Sequence, residues 1–221
     1  MDWQALQLSL RLGLATVLVL LPIGIWLGRL LATRAFRGRG FVEALVALPL
    51  LLPPTVVGFY LLTAFGHASP LGRALASLLG RSLVFSFEGL LVASVLINIP
   101  FVVQPIQRAF ESIPHEVREA AACCGLSRRS AFLRIELPLA WPGITTGAVL
   151  AFAHTLGEFG VVLMVGGSIP GETRTVAIAI YDRVQAFDNA GAAIMAATLL
   201  VVSVLALGIT NTLSRRVGRR A

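Results

Sequence analysis

The sequence predicts an all-α integral membrane protein of about five transmembrane helices, with the N-terminus outside and the C-terminus in the cytoplasm. Three observations predict it. Of 221 residues, 57% are hydrophobic and 13% charged. The apolar residues gather near 5–28, 42–65, 89–107, 142–165 and 191–213, each long enough for the roughly 20 helical residues that cross a hydrocarbon layer. A soluble core of five such helices would need more polar surface than a chain of this length supplies. Finally, all 18 basic residues are arginine, and they alternate by loop. Arg29, Arg34, Arg37 and Arg39 separate the first two runs. Arg108, Arg118, Arg128, Arg129 and Arg134 separate the third and fourth, and Arg215, Arg216, Arg219 and Arg220 follow the fifth. The alternate loops hold only Arg73, Arg81, Arg174 and Arg183. Positive charge collects on cytoplasmic loops, which sets this orientation. Topology thus accounts for the basic balance, which gives no reason to invoke nucleic acid.

The first run is expected to stay as a helix rather than be cleaved. Its leader "MDWQ" carries Asp2 and no basic residue, and no small-x-small site follows a short apolar core. Arg11 is expected to reach the outer surface or face protein, and Pro22 to bend the helix. In the second run, "ALPLLLPPTVVGFYLL", Pro49, Pro53 and Pro54 interrupt the backbone at membrane depth. Irregular backbone there is tolerated only against protein or a water-filled cavity, so the stretch reads either as part of a pathway or as a kinked packing helix. The outer loop 66–88 contains "LGRALASLLGRSL", a mildly amphipathic stretch that fits a short interfacial helix. The third run holds Asn98, Pro100 and Pro105; the fourth, "GITTGAVLAFAHTLGEFG", is rich in small residues. A turn and a short helix are expected in "GGSIPGETRTVAIAIYDRVQAFDNAG". The fifth run starts with small residues, as close helix packing requires.

The chain reads as one transmembrane domain over 1–221. It has no internal repeat and no phosphate-cradling G-x-x-x-x-G-K-[ST] or G-x-G-x-x-G pattern, hence no nucleotide-binding fold of its own. Cys123 and Cys124 are adjacent on the cytoplasmic side, with no further ligands to complete a metal set, and read as small packing residues.

Segment 112–138, which includes "EAAACCGLSRRSAFLRIELP", is a charged interruption between greasy runs. Ser112 or Ile113 is expected to cap a first short helix, with Pro114 in its first turn and Glu116 and Glu119 near its positive end. Gly125 stops that helix, since a left-handed terminal position costs glycine little. Ser127 then caps a second short helix through Glu136, closed by Pro138. The small face Ala120–Ala121–Ala122 lets another protein approach the backbone closely.

The residues Glu119, Ala120, Ala121, Gly125, Ile135, Leu137 and Pro138 spell E-A-A, three residues, Gly, nine residues, Ile-x-Leu-Pro. This resembles the EAA loop of membrane subunits of ATP-binding-cassette (ABC) importers. "LPLLLPPTVVGFYLL", "PLAWPGITTGAVLAFAHTLGEFG" and "GGSIPGETRTVAIAIYDRVQAFD" look like the permease family of molybdate importers, close to the tungstate and sulfate/thiosulfate permeases. The resemblance implies the type I ABC importer permease fold in a bacterial plasma (inner) membrane, with the seven loop residues docking on the ATPase. Implied partners are a second copy of the permease, a cytoplasmic ABC ATPase dimer, a periplasmic or extracytoplasmic oxyanion-binding protein and the lipid bilayer. ATP and magnesium would be bound by the ATPase, leaving this chain without a cofactor and without catalysis. Sulfate/thiosulfate or tungstate is the alternative cargo. An intramembrane enzyme is the alternative of a different class, but His67, His115 and His154 fall in different segments, and only His154 has a nearby carboxylate.

For the translocation path or gate, the candidates are Pro53, Pro54, Thr55, His154, Gly157, Glu158 and Ser168, with Thr145, Thr146 and Thr155 as further possible donors to an anion. His154 and Glu158, at i and i+4, share a helix face. Glu158 would repel a divalent oxyanion. It is expected either to bond backbone or His154 at the gate end of the fourth helix, or to serve as a plain packing pair with His154.

Overall fold

Asp2 starts the first helix, its carboxylate accepting a hydrogen bond from the Ala5 N–H at 3.0 Å. The computed structural model describes residues 2–218, with side chains through Leu205. Arg219, Arg220 and the side chains of Arg215 and Arg216 lie outside the described residues.

The core is built from three long helices: α1 (Trp3–Thr33), α5 (Phe87–Glu111) and α8 (Leu137–Gly157). Leu12, Leu20, Leu90, Val102, Ile106 and Phe110 are fully buried between them and their neighbours. Glycines set how closely these helices approach. A Cβ on Gly24 would collide with Cγ1 of Val102, one on Gly28 would stand 2.9 Å from Cγ2 of Ile106, and one on Gly147 3.1 Å from the Val102 carbonyl oxygen. Gly24→Leu is therefore expected to overpack the α1–α5 seam at a cost of about 1–3 kcal/mol. A lowered melting temperature in detergent would register it; unchanged melting would show that the seam can part.

Where the sequence predicts one span over 42–65, there are two helices. α2 (Arg39–Leu51) and α3 (Pro54–Phe65) meet at a bend of 107°. Pro53 and Pro54 remove consecutive N–H donors, and each holds its predecessor in extended backbone: Leu52 has ψ 138° and Pro53 ψ 136°. The expected fourth span, 142–165, also differs. α8 begins earlier, at Leu137, carries Pro142 inside it and ends at Gly157, and a separate short helix α9 (Gly160–Gly166) follows.

Among the described residues, α1, α5 and the continuous run Arg128–Gly157 are each long and apolar enough to cross a membrane. Taking the α2–α3 pair as one broken span gives a fourth. α11 (Asn189–Gly218) contributes a shorter apolar stretch, Asn189–Leu205. Two expected short helices are present: α4 (Pro70–Leu79), capped by Ser69, and α10 (Val176–Gln185), capped by Thr175. The first N–H of α10 donates to Ser9 Oγ of α1 at 2.8 Å, satisfying a buried group that a helix start leaves orphaned.

Polar contacts mark the two ends of the bundle. At one end Arg174 reaches Asp2 at 3.6 Å and Asp182 at 3.8 Å, the Phe85 N–H donates to the Val165 carbonyl, and the Arg11 guanidinium lies 4.5 Å from the centre of the Phe87 ring. Arg11 thus faces protein. At the other end Glu43 accepts from Arg39 at 2.9 Å and from Gln107 at 3.0 Å, and Arg39 also reaches Glu111 at 3.0 Å. The link between α1 and α2 and the charged segment 112–136 share this second end.

Candidate functional site

The charged hairpin is built from α6 (His115–Cys123) and α7 (Arg128–Ala131). α6 starts differently from the expectation. Ser112 has helical backbone and closes α5, its N–H bonding the Arg108 carbonyl, and Ile113 is buried. The cap position falls to Pro114, which has no N–H to satisfy. The far end follows the expectation: Gly125 has φ +75°, its N–H donates to the Ala122 carbonyl at 2.9 Å, and the Leu126 N–H donates to the Ala121 carbonyl at 3.1 Å. These two bonds form a Schellman motif, which requires a left-handed residue at that point. Ser127 then caps α7, accepting from the Ser130 N–H at 3.3 Å.

The second helix does not close at Pro138. It widens into a π-helical turn, Phe132–Glu136, and runs directly into α8, where Pro138 sits in the first turn. The Leu137 N–H bonds the Phe132 carbonyl, five residues back. Widening the turn accommodates a proline that lacks a donor and would crowd the carbonyl four residues before it.

The seven sequence-chosen residues of this region divide into two groups. Glu119, Ala120 and Gly125 are exposed, and Glu119 Oε1 lies 3.1 Å from His115 Nδ1. Ala121 instead turns inward and is 4% exposed, because α6 rests that side on the core. Ile135 and Leu137 are half-buried, and Pro138 is exposed at the start of α8. Cys123 and Cys124 are unbridged and exposed rather than packed.

A buried carboxylate missed by sequence reasoning lies beside the hairpin. Glu136 is 6% exposed; its Oε2 accepts from Arg29 Nε at 2.6 Å and its Oε1 lies 3.6 Å from Arg118 Nε. The signal was present in "FLRIELP", an acid placed at the head of an apolar run.

The second candidate region is where the two helix breaks meet. A Cβ on Gly160 would stand 2.9 Å from Pro54 Cβ, and one on Gly58 2.7 Å from Met164 Cβ, so α9 lies directly against α3. Pro54 and Thr55, exposed at one break with Pro53, are thereby brought against Gly160 just past the other; Gly157, at that second break, is exposed and faces open space. Glu158 is 6% exposed and caps α9, its Oε1 accepting from the Val161 N–H at 2.9 Å. Its Oε2 is 3.8 Å from His154 Nε2, and the His154 ring stacks on Phe101 with centroids 4.3 Å apart.

The other hydroxyl candidates are engaged elsewhere. Thr155 is buried, donating to the Ala151 carbonyl at 2.8 Å and accepting from Asn98 Nδ2 at 3.0 Å, a polar lock between α5 and α8. Thr145 and Thr146 donate to carbonyls of their own helix, including that of Pro142. Ser168 lies past the far end of α9 and donates to Asp182 at 2.9 Å.

A long-helix core, two broken helices packed break to break and an exposed charged hairpin at one end describe a membrane transport component. Residues 21–219 match the family described as "Binding-protein-dependent transport system inner membrane component", and the chain belongs to that family. Among relatives, it is 46% identical over 206 residues to the molybdenum transport system permease protein ModB of Azotobacter vinelandii, covering 93% of this chain and 91% of that one. It is 37% identical over 221 residues to ModB of Escherichia coli strain K12, covering 100% and 96%. The sulfate transport system permease protein CysT of Salmonella typhimurium is 34% identical over 197 residues, covering 89% of this chain and 71% of that protein.

Two solved structures share the fold. One is a bacterial ABC transporter that imports the acidic polysaccharide alginate (TM-score 0.79, 21% identity, 96% of this chain and 78% of that one). The other is the MetNI methionine ABC transporter in an inward-facing conformation (TM-score 0.71, 18% identity, 98% and 94%).

Proposed function

We propose that this chain is the membrane subunit of an ATP-driven importer that carries an oxyanion, molybdate first among the candidates. The observation that carries the reading is the 46% identity to a molybdenum permease over nearly the whole of both chains. The sulfate relative is matched over less of its length. In this reading two copies of the chain form the pathway, a pair of ABC ATPase subunits sits under the hairpins, and an extracytoplasmic binding protein delivers the anion. ATP and magnesium act on the ATPase. This chain converts ATPase closure into movement of its helices, which needs a differential affinity of only a few kcal/mol between the two states.

The exposed tip of the hairpin, with Glu119, Ala120 and Gly125, is the docking surface; Ala121 backs it from the inner side of α6, and Ile135, Leu137 and Pro138 carry the motion into α8. Five spans, near 5–28, 42–65, 89–107, 142–165 and 191–213, with the hairpin in the cytoplasm, fit the arginine distribution. The meeting of the α2–α3 and α8–α9 breaks supplies the gate, because irregular backbone at membrane depth is stable only against protein or a water-filled route. Pro53, Pro54, Thr55 and Gly157 line it, His154 and Glu158 hold it from behind, and Ser168 belongs to the outer mouth.

Vesicles containing the complex test the cargo. Binding protein loaded with molybdate is expected to stimulate ATP hydrolysis more than binding protein offered tungstate or sulfate. Stimulation by sulfate alone would move the assignment to the sulfate branch.

A further inference from the structure

Glu136 draws four parts of the molecule together. It ends the π-helical turn, pairs with Arg29 of α1 and lies 3.6 Å from Arg118 of α6. Arg118 Nη2 also donates to the Phe110 carbonyl at the end of α5, at 2.8 Å. The Arg29 guanidinium lies 4.6 Å from the centre of the Phe132 ring, on the same π-helical turn as Glu136. Among the described residues Glu136 is the sole carboxylate within ion-pair range of either arginine.

Stability does not explain such a cluster. Burying a carboxylate carries a desolvation cost that its ion pairs need not outweigh, and well-packed apolar residues would hold the same elements as well. What the ion pairs add is direction. Apolar contacts such as that of Val117 with the core act without directional preference, so they allow sliding. The charge-assisted hydrogen bond from Arg29 to Glu136 holds those two at a fixed distance and angle, while Arg118, its buried Nε without a hydrogen-bond partner, is drawn to the same carboxylate by charge across 3.6 Å. The chain itself ties the hairpin to α5 on one side and to α8 on the other, whereas α1 has no direct covalent link to it. The π-helical turn is also a place where a helix can change register.

We propose that Glu136 is a positioning residue for coupling: through Arg118 and Arg29 it makes α1 move together with α6 and α8 when the hairpin is displaced. The inference rests on the importer reading above. Two variants test it in the complete complex in vesicles, Glu136→Gln and Arg118→Gln. The second leaves the Glu136–Arg29 bond in place and cuts the tie to α6, along with the Arg118–Phe110 bond to the end of α5. Both are expected to retain the ATPase and hydrolyse ATP, while anion uptake per ATP falls on the order of tenfold.

A merely structural role would lower the yield or melting temperature of the complex and leave uptake per ATP as in the unaltered chain. The proposal is overturned if that ratio stays within about twofold of the unaltered value in both variants. Should Glu136→Gln fail to assemble, Arg118→Gln decides on the same scale; if neither assembles, the cluster is structural and the proposal falls. If the unaltered chain itself neither holds an ATPase nor couples, the importer reading fails instead.

Discussion

Gly125→Val is expected to detach the chain from its ATPase. Gly125 holds φ +75°, and its N–H and that of Leu126 close α6. An L-residue in the left-handed region costs roughly 1–2 kcal/mol, and a β-branched one more. Valine escapes that cost only by giving up the Schellman turn, which redirects the chain between α6 and α7 and turns Glu119 and Ala120 away from their docking geometry. Co-purification of the ATPase should fall at least tenfold, with uptake falling alongside it, because every 1.4 kcal/mol is a factor of about ten. The spans, whose packing does not involve Gly125, should still fold and insert. Asparagine tolerates the left-handed region, so Gly125→Asn should keep most of the binding. Equal ATPase retention by the valine variant would show that the hairpin's geometry is not what the motor reads.

Glu158→Ala is expected to be the most damaging change within the helix breaks. It leaves the Val161 N–H unsatisfied in a buried setting, at a cost of about 1–3 kcal/mol, and frees the start of α9 from α8. Uptake should drop sharply while the hairpin still holds the ATPase. Glu158→Gln separates charge from capping, since its amide oxygen can still accept from Val161. Assembly should survive that change. A normal rate of uptake in the glutamine variant would mean that the carboxylate acts only as a cap, and a normal rate in the alanine variant would remove Glu158 from the gate altogether.

Much of the architecture was readable from local rules. The apolar runs marked where α1, α5, α8 and α11 lie, because burial in lipid imposes length and composition on a helix. Gly125 and Ser127 announced helix ends, since capping depends on side chains a few positions away. Pro53 and Pro54 marked a break for the same reason. The size of that break, 107°, was not legible, because two prolines forbid a straight helix without choosing the new direction. The second break, at Glu158 and Phe159, has no proline; Glu158 was expected to bond backbone or His154, and its bond to the Val161 N–H at the start of α9 is the part no local signal located.

The candidate site divides along the same line. The sequence by itself determined an all-helical membrane chain, the position of the charged hairpin and the kinship that its E-A-A spacing carries, all of which depend on residues near one another along the chain. Tertiary structure alone decided that the breaks at 53 and 158 lie side by side, that Ala121 and Thr155 turn inward, and that Glu136 joins Arg29 to Arg118. Those contacts cross as many as 107 positions of sequence, and nothing periodic or local encodes them. They arise when glycine-lined helices pack closely enough for distant side chains to meet, and a buried charge must then find its partner wherever packing has placed it.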